Sequence, residues 1–356
     1  MTNKITNDQN RKKLSCLYPQ HNPKWGMLCK RSPVTYNLKV LNKLITEDDI
    51  RLDQKVRAAW MYYIAGQNQS EIAAQLGTSR PVVQRLIAAA KEEGIVSIGL
   101  NHPVANCLDY AQMLKEKYNL VECNIVPAFT DEVTLDSVSF GCYQLMEKYL
   151  KTDSAKVIGI GSGLTLKKTI RRIDFASVNT RCVALISGMD ANGKCNYYDD
   201  VPLLLASKIQ ANYYQWPAPR YAQSPADHQM WCSNYLFNNV ADIAKQADVI
   251  FVGIGALTQQ SPIFKDGFIT LQQLEMLTQQ GAIGEVLGRF IDTNGDVIDS
   301  EINKLITSYD IRSNPCPRIA AAYGEDKRQV IFSAIKGGWV NGLVTDEHTA
   351  RWLLTR

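Results

Sequence analysis

Residues 157–165 read Val-Ile-Gly-Ile-Gly-Ser-Gly-Leu-Thr, an apolar strand running into a glycine-rich turn and the start of a helix. Such a turn can hold an anion with backbone alone. Gly161 and Gly163 allow close approach, and the N–H groups of Ser162, Gly163 and Leu164 lie at the positive end of the next helix. Thr165 adds a hydroxyl. The loop lacks the Gly-Lys-Ser/Thr ending of a Walker loop, and its third glycine is misplaced for a dinucleotide fingerprint. Taken alone, the motif also fits a tight turn that binds nothing.

Other strand ends add to it. Gly188 and Gly255 each stand just past an apolar run. Gly324-Glu325-Asp326-Lys327 places a lysine in the first turn of a helix, where the dipole disfavours a cation. An anionic partner shared with the 161–165 loop would satisfy it, and phosphate is the natural candidate; a solvated surface lysine is the plain alternative.

A second constellation spans 68–86, Asn-Gln-Ser-Glu-Ile-Ala-Ala-Gln-Leu-Gly-Thr-Ser-Arg-Pro-Val-Val-Gln-Arg-Leu. Ile72, Ala73 and Leu76 share one face of a short helix. Gly77 suits a left-handed exit, Thr78 or Ser79 can cap the next helix, and Pro81 fits its first turn. Val82, Val83, Leu86 and Ile87 then form a second apolar stripe. This spacing predicts a helix-turn-helix whose second helix enters the major groove of DNA. Arg80, Gln84 and Arg85 lie on its polar face, with Arg suited to guanine and Gln to adenine. Gln69 and Ser79 are placed to donate to phosphates.

Around these motifs the pattern predicts the supporting elements. A helix over 56–65 would turn Val56, Trp60 and Ile64 inward, and 95–98 reads as a short strand, a wing. Pro103 marks a boundary, followed by a helix over 104–118 with Val104, Leu108, Ala111, Leu114 and Tyr118 in one stripe. Beyond it, apolar strands at 123–126, 157–160, 182–186, 213–216, 249–254, 319–323 and 342–345 alternate with helices. Continuous apolar strands alternating with helices predict a parallel sheet covered on both faces, with sites at the strands' C-terminal ends.

Charge divides the chain of 356 residues. Residues 1–46 hold nine Lys/Arg and a single Asp, while the whole chain is only +4. That basic extension reads either as an arm touching DNA or as a dispensable segment. Nine scattered cysteines without a CxxC pair and four dispersed histidines point to reduced thiols in a cytoplasmic protein, with no metal and no cofactor expected. No apolar run is long enough for a transmembrane helix, and the N-terminus lacks the apolar stretch of a secretory signal.

Together these blocks resemble the SorC family of sugar-responsive bacterial transcriptional regulators. The resemblance runs from about Lys55 to the C-terminus. It is carried most specifically by Gly-Glu-Val-Leu-Gly-Arg-Phe-Ile-Asp-Thr-Asn-Gly at 284–295 and by 326–350, with 69–86, 159–166 and 247–257 in support. It implies a winged helix-turn-helix followed by a doubly wound, mostly parallel α/β effector domain similar to sugar-phosphate isomerases and deaminases. It also implies a phosphorylated sugar or polyol effector, double-stranded operator DNA as partner, and a homotetramer. Gly161, Ser162, Gly163, Leu164, Thr165 and Lys327 carry over as phosphate contacts, and Glu285 and Asp292 as groups facing the sugar. Family members often have an aromatic residue at the position of Ser162, and a polar residue or glycine at that of Leu164. The alternative, a sugar-phosphate isomerase or deaminase fused to a DNA-binding domain, lacks the histidine that follows the corresponding strand in the deaminases: Ala256, Leu257 and Thr258 stand there. The expectation is a regulator, not an enzyme, with an extension at 1–46, a DNA-binding domain at 47–100 and an effector domain at 101–356.

Overall fold

The computed structural model describes residues 47–96, 103–152, 154–195 and 200–356; the basic extension at 1–46 lies outside them. The chain divides into two compact units, Met1–Gly99 and Leu100–Arg356.

The described part of the first unit is three helices: α1 (Glu47–Tyr63), α2 (Gln69–Leu76) and α3 (Arg80–Glu92). α1 begins at Glu47 rather than at 56, because a run of acidic residues suits the positive start of a helix. Its inner face also differs from the expected one. Ala58 and Ala59 are buried, whereas Val56, Trp60 and Ile64 are 44%, 57% and 72% exposed. The core is Ala58 with Ile72, Ala73, Val83 and Ile87. Asn68 caps α2 in a reciprocal box with Glu71, a device the sequence pattern had not singled out. Gly77 closes α2 in the left-handed conformation. Ile95 and Val96 form no strand, and Ser97 and Ile98 lie outside the described residues, so the expected wing does too.

The second unit runs α4 (Pro103–Tyr118), β1 (Glu122–Val126), α5 (Asp131–Leu150), β2 (Val157–Ile160), α6 (Leu164–Arg171), β3 (Arg181–Ala184), α7 (Val201–Ile209) and β4 (Asn212–Tyr214). It continues through α8 (Pro225–Ser233), α9 (Tyr235–Lys245), β5 (Val249–Val252), β6 (Gly255–Ala256), α10 (Pro262–Lys265), α11 (Leu271–Gln279), β7 (Gly284–Val286) and β8 (Arg289–Ile291). It closes with α12 (Glu301–Lys304), β9 (Arg318–Ala321), α13 (Arg328–Lys336), β10 (Gly342–Asp346) and α14 (Glu347–Leu354).

Seven strands form one sheet in the order β1-β10-β9-β5-β2-β3-β4, every neighbouring pair parallel. Alternate residues of each short strand serve opposite layers. Ile158, Phe251, Ile319 and Val344 pack with Met146, Ile170 and Leu205 of α5, α6 and α7. Ile250, Val252, Ala320 and Leu343 pack with Ile243, Ile331 and Leu353 of α9, α13 and α14. On α4 the buried positions are Cys107 and Leu114, while Leu108 of the expected stripe is 60% exposed.

From β2 the chain adds β3 and β4 on one side, then returns to place β5 on the other. Loops leaving β2 and β5 therefore diverge and open a crevice at the strands' C-terminal ends. The antiparallel sheet β6-β7-β8 is a second sheet of the same unit. Phe290 of β8 belongs to a separate small core with Ile263, Leu274, Leu277 and Ile302. Strands of two or three residues are too short to show an alternation, so the sequence pattern did not reveal this sheet.

Candidate functional site

The crevice holds a cavity of about 670 Å³, within the range of small-molecule sites. Its walls come from the loop after β2, the segment from Gly253 to Ala256 after β5, the Gly324–Lys327 turn after β9, and the β7–β8 hairpin.

Ser162, Gly163, Leu164 and Thr165 all line the cavity. Gly163 caps α6 at φ 125°, a conformation that a side chain would strain. It thus sets the start of α6, whose first N–H groups have no acceptor within the helix, at the cavity wall. Gly161 is not on the lining. Its N–H donates to the Phe251 carbonyl at 2.9 Å, so it extends the sheet ladder.

Lys327 ends a single turn of 3₁₀ helix, Glu325–Lys327, and stands at the cap position of α13. The turn is anchored by the Gly324 N–H, which donates to Asp346 Oδ2 at 3.3 Å; Asp346 itself is buried at the end of β10. The Lys327 side chain is half-buried, lines the cavity, and makes no side-chain hydrogen bond or ion pair among the described residues. Burial pushes its ammonium below the usual lysine range, opposed by the nearby carboxylates of Asp326 and Glu285. A partly desolvated cation at the positive end of a helix, across from a second helix start, is a place for an anion.

Glu285 lies on β7 opposite Gly255 and lines the same cavity. Its Oε2 accepts the Gly288 N–H at 2.6 Å. Leu287 and Gly288 have φ of 51° and 80°, the two-residue turn that joins twisted strands. A buried leucine in that conformation is strained. It is held by Ser308, whose hydroxyl donates to the Leu287 carbonyl at 2.6 Å, and it presents its side chain to the cavity.

Two other expected residues sit elsewhere. Gly188 is not on the lining; Ser187 beside it accepts Arg220 Nε at its carbonyl, at 3.1 Å. Asp292 begins the turn after β8, where its Oδ1 accepts the N–H groups of Asn294 at 2.8 Å and Asp296 at 3.0 Å. β8 runs antiparallel to β7, so its end points away from the strand ends that form the cavity, and Asp292 is a turn residue that does not line it.

Arg220 was missed by the sequence reading. It lines the cavity although only 6% exposed, and its guanidinium stacks 3.6 Å from the Phe268 ring centroid. The available signal was a lone arginine inside an otherwise uncharged, largely apolar segment, Trp-Pro-Ala-Pro-Arg-Tyr-Ala at 216–222. Asp266 lines the cavity as well. Burial raises its pKa, while the charges of Arg220 and Lys194 hold it down.

In the first unit, Ser79, Arg80, Gln84 and Arg85 are exposed at the start of α3, while Val83, Ile87 and Ala90 are buried on the opposite side. Ser79 occupies the cap position, yet its hydroxyl makes no capping bond. Gln69 accepts Arg80 Nε at 3.4 Å, so the two helix starts meet at one polar edge. Among the described residues there is no cluster able to hold a metal, and no helix long and apolar enough to cross a membrane.

Comparisons with known proteins assign a family to each unit. Residues 102–355 match the Sugar-bind family of sugar-binding domains, and residues 49–97 match HTH_23, a homeodomain-like domain. The erythritol catabolism regulatory protein EryD of Brucella abortus (strain 2308) is 30% identical over 302 residues, 84% of this chain and 95% of that one. The transcriptional regulator LsrR of Escherichia coli (strain K12) is 31% identical over 315 residues, 85% of this chain and 94% of that one. The full-length sorbitol operon regulator SorC from Klebsiella pneumoniae matches with a TM-score of 0.63 at 26% identity, covering 86% of this chain and 100% of that one. These relatives are regulators rather than enzymes, and the chain described here is a DNA-binding, sugar-responsive transcriptional regulator of the SorC family.

Proposed function

We propose that the effector is a phosphorylated sugar or polyol, bound in the 101–356 domain with its phosphate between the 162–165 loop and Lys327. The single observation carrying this reading is Lys327: a partly desolvated cation that makes no side-chain hydrogen bond or ion pair among the described residues, at a helix start lining a sugar-sized cavity. Glu285 then faces the sugar hydroxyls. The 47–100 domain reads operator DNA through Arg80, Gln84 and Arg85, with Gln69 and Ser79 on phosphates. The protein works as a homotetramer in the cytoplasm on a palindromic operator, since paired recognition helices require half-sites separated by whole turns of DNA. The effector acts by binding one arrangement of the oligomer more tightly than the other, which is the only way it can shift operator affinity.

The test is a thermal-shift screen of sugar and polyol phosphates, followed by operator binding with each hit. A phosphorylated compound should raise the melting temperature by mass action and change operator affinity, while its unphosphorylated parent should do neither. Equal effects of both forms would remove the phosphate from the reading.

A further inference from the structure

Three Asn-Gly dipeptides occur in the sequence, at 192–193, 294–295 and 341–342. Each is a candidate for spontaneous deamidation, because glycine has no Cβ to keep the asparagine side chain off its nitrogen. Two of them sit in matching turns, Asp190-Ala-Asn-Gly and Asp292-Thr-Asn-Gly. In each turn the aspartate Oδ1 accepts the asparagine N–H at 2.8 Å, and also the N–H of Lys194 or Asp296 at 3.0 Å. The glycines share a left-handed backbone, with φ of 82° at Gly193 and 85° at Gly295. Each donates its N–H back to the aspartate carbonyl, at 3.1 and 3.0 Å.

The surroundings of the three sites differ. Asn294 Oδ1 accepts Lys336 Nζ at 2.8 Å, and the Gly295 carbonyl accepts Trp339 Nε1 at 2.8 Å. A Cβ on Gly295 would overlap the Ser333 carbonyl oxygen, so no space is left around that glycine. Asn341 Oδ1 accepts the Arg318 N–H at 2.7 Å, and Gly342 is buried in β10. Asn192 and Gly193 are exposed instead. The Asn192 side chain makes no hydrogen bond among the described residues, and a Cβ on Gly193 would meet nothing within 4 Å. The side chain there can swing onto the glycine nitrogen. The exposed turn bond that covers this nitrogen opens locally far more often than its clamped counterparts.

We propose that Asn192 is a site of spontaneous deamidation in the folded protein, and that the reaction loosens one wall of the cavity. The Gly193 nitrogen gives its proton to solvent and attacks Asn192 Cγ. The new N–C bond closes a succinimide ring, and the side-chain nitrogen leaves as ammonia. Water then opens the ring. Breaking the bond to Cγ leaves aspartate, while breaking the bond to the backbone carbonyl leaves isoaspartate, with an extra carbon in the main chain. A water is consumed and an ammonia released. The turn connects Met189 to Cys195, which form an antiparallel bridge, and the Met189 carbonyl accepts the Arg220 N–H at 2.8 Å. A longer main chain breaks that pairing beside Arg220, which lines the cavity.

Peptide mapping of the full-length chain by mass spectrometry, after ageing in mildly alkaline buffer, tests this. In the folded protein the peptide carrying Asn192 should deamidate about tenfold or more faster than those carrying Asn294 and Asn341. In guanidinium chloride, where all three dipeptides are open, the rates should converge. Asn192→Gln should stop the fast reaction, because its longer side chain closes the corresponding ring far more slowly. The Arg220 amide should exchange hydrogen faster in the aged unaltered protein than in equally aged Asn192→Gln. Equal rates at the three sites in the folded state would overturn the assignment, as would an Asn192 peptide that stays intact there while the denatured chain converts. Equal exchange at Arg220 despite conversion would overturn the link to the cavity wall.

Discussion

Gly255 and Glu285 face each other in the antiparallel ladder of β6 and β7, so closely that a Cβ on Gly255 would overlap Glu285 Oε1. The glycine is therefore what lets a carboxylate stand at the cavity wall. Its substitution tests the site without touching a charged group. Gly255→Ala should fold, because the obstructing atom is the end of a flexible side chain. It should lose about ten- to a hundredfold in effector affinity as Glu285 is pushed aside, the range for one hydrogen-bonded charge. Titration calorimetry beside circular dichroism checks both halves; unchanged affinity would take Glu285 out of the site.

Lys327 gives a pH signature. Burial holds its pKa below the ordinary lysine value, so the unfolded chain binds the proton more tightly. The resulting stability is complete above the ordinary lysine value and is lost as pH falls through the lowered one. In the absence of ligand, the melting temperature of the unaltered protein should thus gain on that of Lys327→Met as pH rises through this window. Affinity for inorganic phosphate should move oppositely, falling as Lys327 loses its proton. A phosphate affinity flat across the same window would show that the ammonium does not hold the anion.

Lys327→Ala should separate the two functions. Operator binding in a gel shift should persist, because α1, α2 and α3 form their own core. The response to a phosphorylated effector should vanish. An intact response would remove the lysine from the mechanism.

Arg80 stands exposed at the start of α3, its Nε bonded to Gln69. Arg80→Ala should cost about 1–3 kcal/mol at one base position and relax the preference there. Fluorescence anisotropy on a series of single-base operator variants, at fixed salt, reads this directly. A uniform loss on all variants would reassign Arg80 to a phosphate contact.

Asn68 accepts the N–H groups of Ser70 and Glu71 at 3.0 and 3.1 Å, and Glu71 returns a bond to the Asn68 N–H at 2.9 Å. Asn68→Ala should destabilise the first unit by about 1 kcal/mol. Denaturant unfolding followed in that unit should shift accordingly, while effector affinity in the second unit stays the same.

The sequence alone determined the repeating layout. Runs such as 157–160 and 249–252 are wholly apolar, and only a sheet covered on both faces can bury them, so the parallel sheet was legible. Gly77 and Pro81 marked the turn between α2 and α3, because backbone conformation at such points is dictated locally. Lys327 and the 162–165 loop were legible for the same reason: each lies at a strand-to-helix junction whose electrostatics follow from local order. What remained hidden depended on contacts between distant segments. Only the fold could turn Trp60 outward and Ala58 inward, since the choice of face depends on how near the neighbouring helices come. Only pairing of Gly255 with Glu285 could put that carboxylate at the cavity while Asp292, seven residues on, closes a turn elsewhere. Arg220 reaches the site through Ser187 and Phe268, more than thirty residues away on either side, and no local pattern records that meeting.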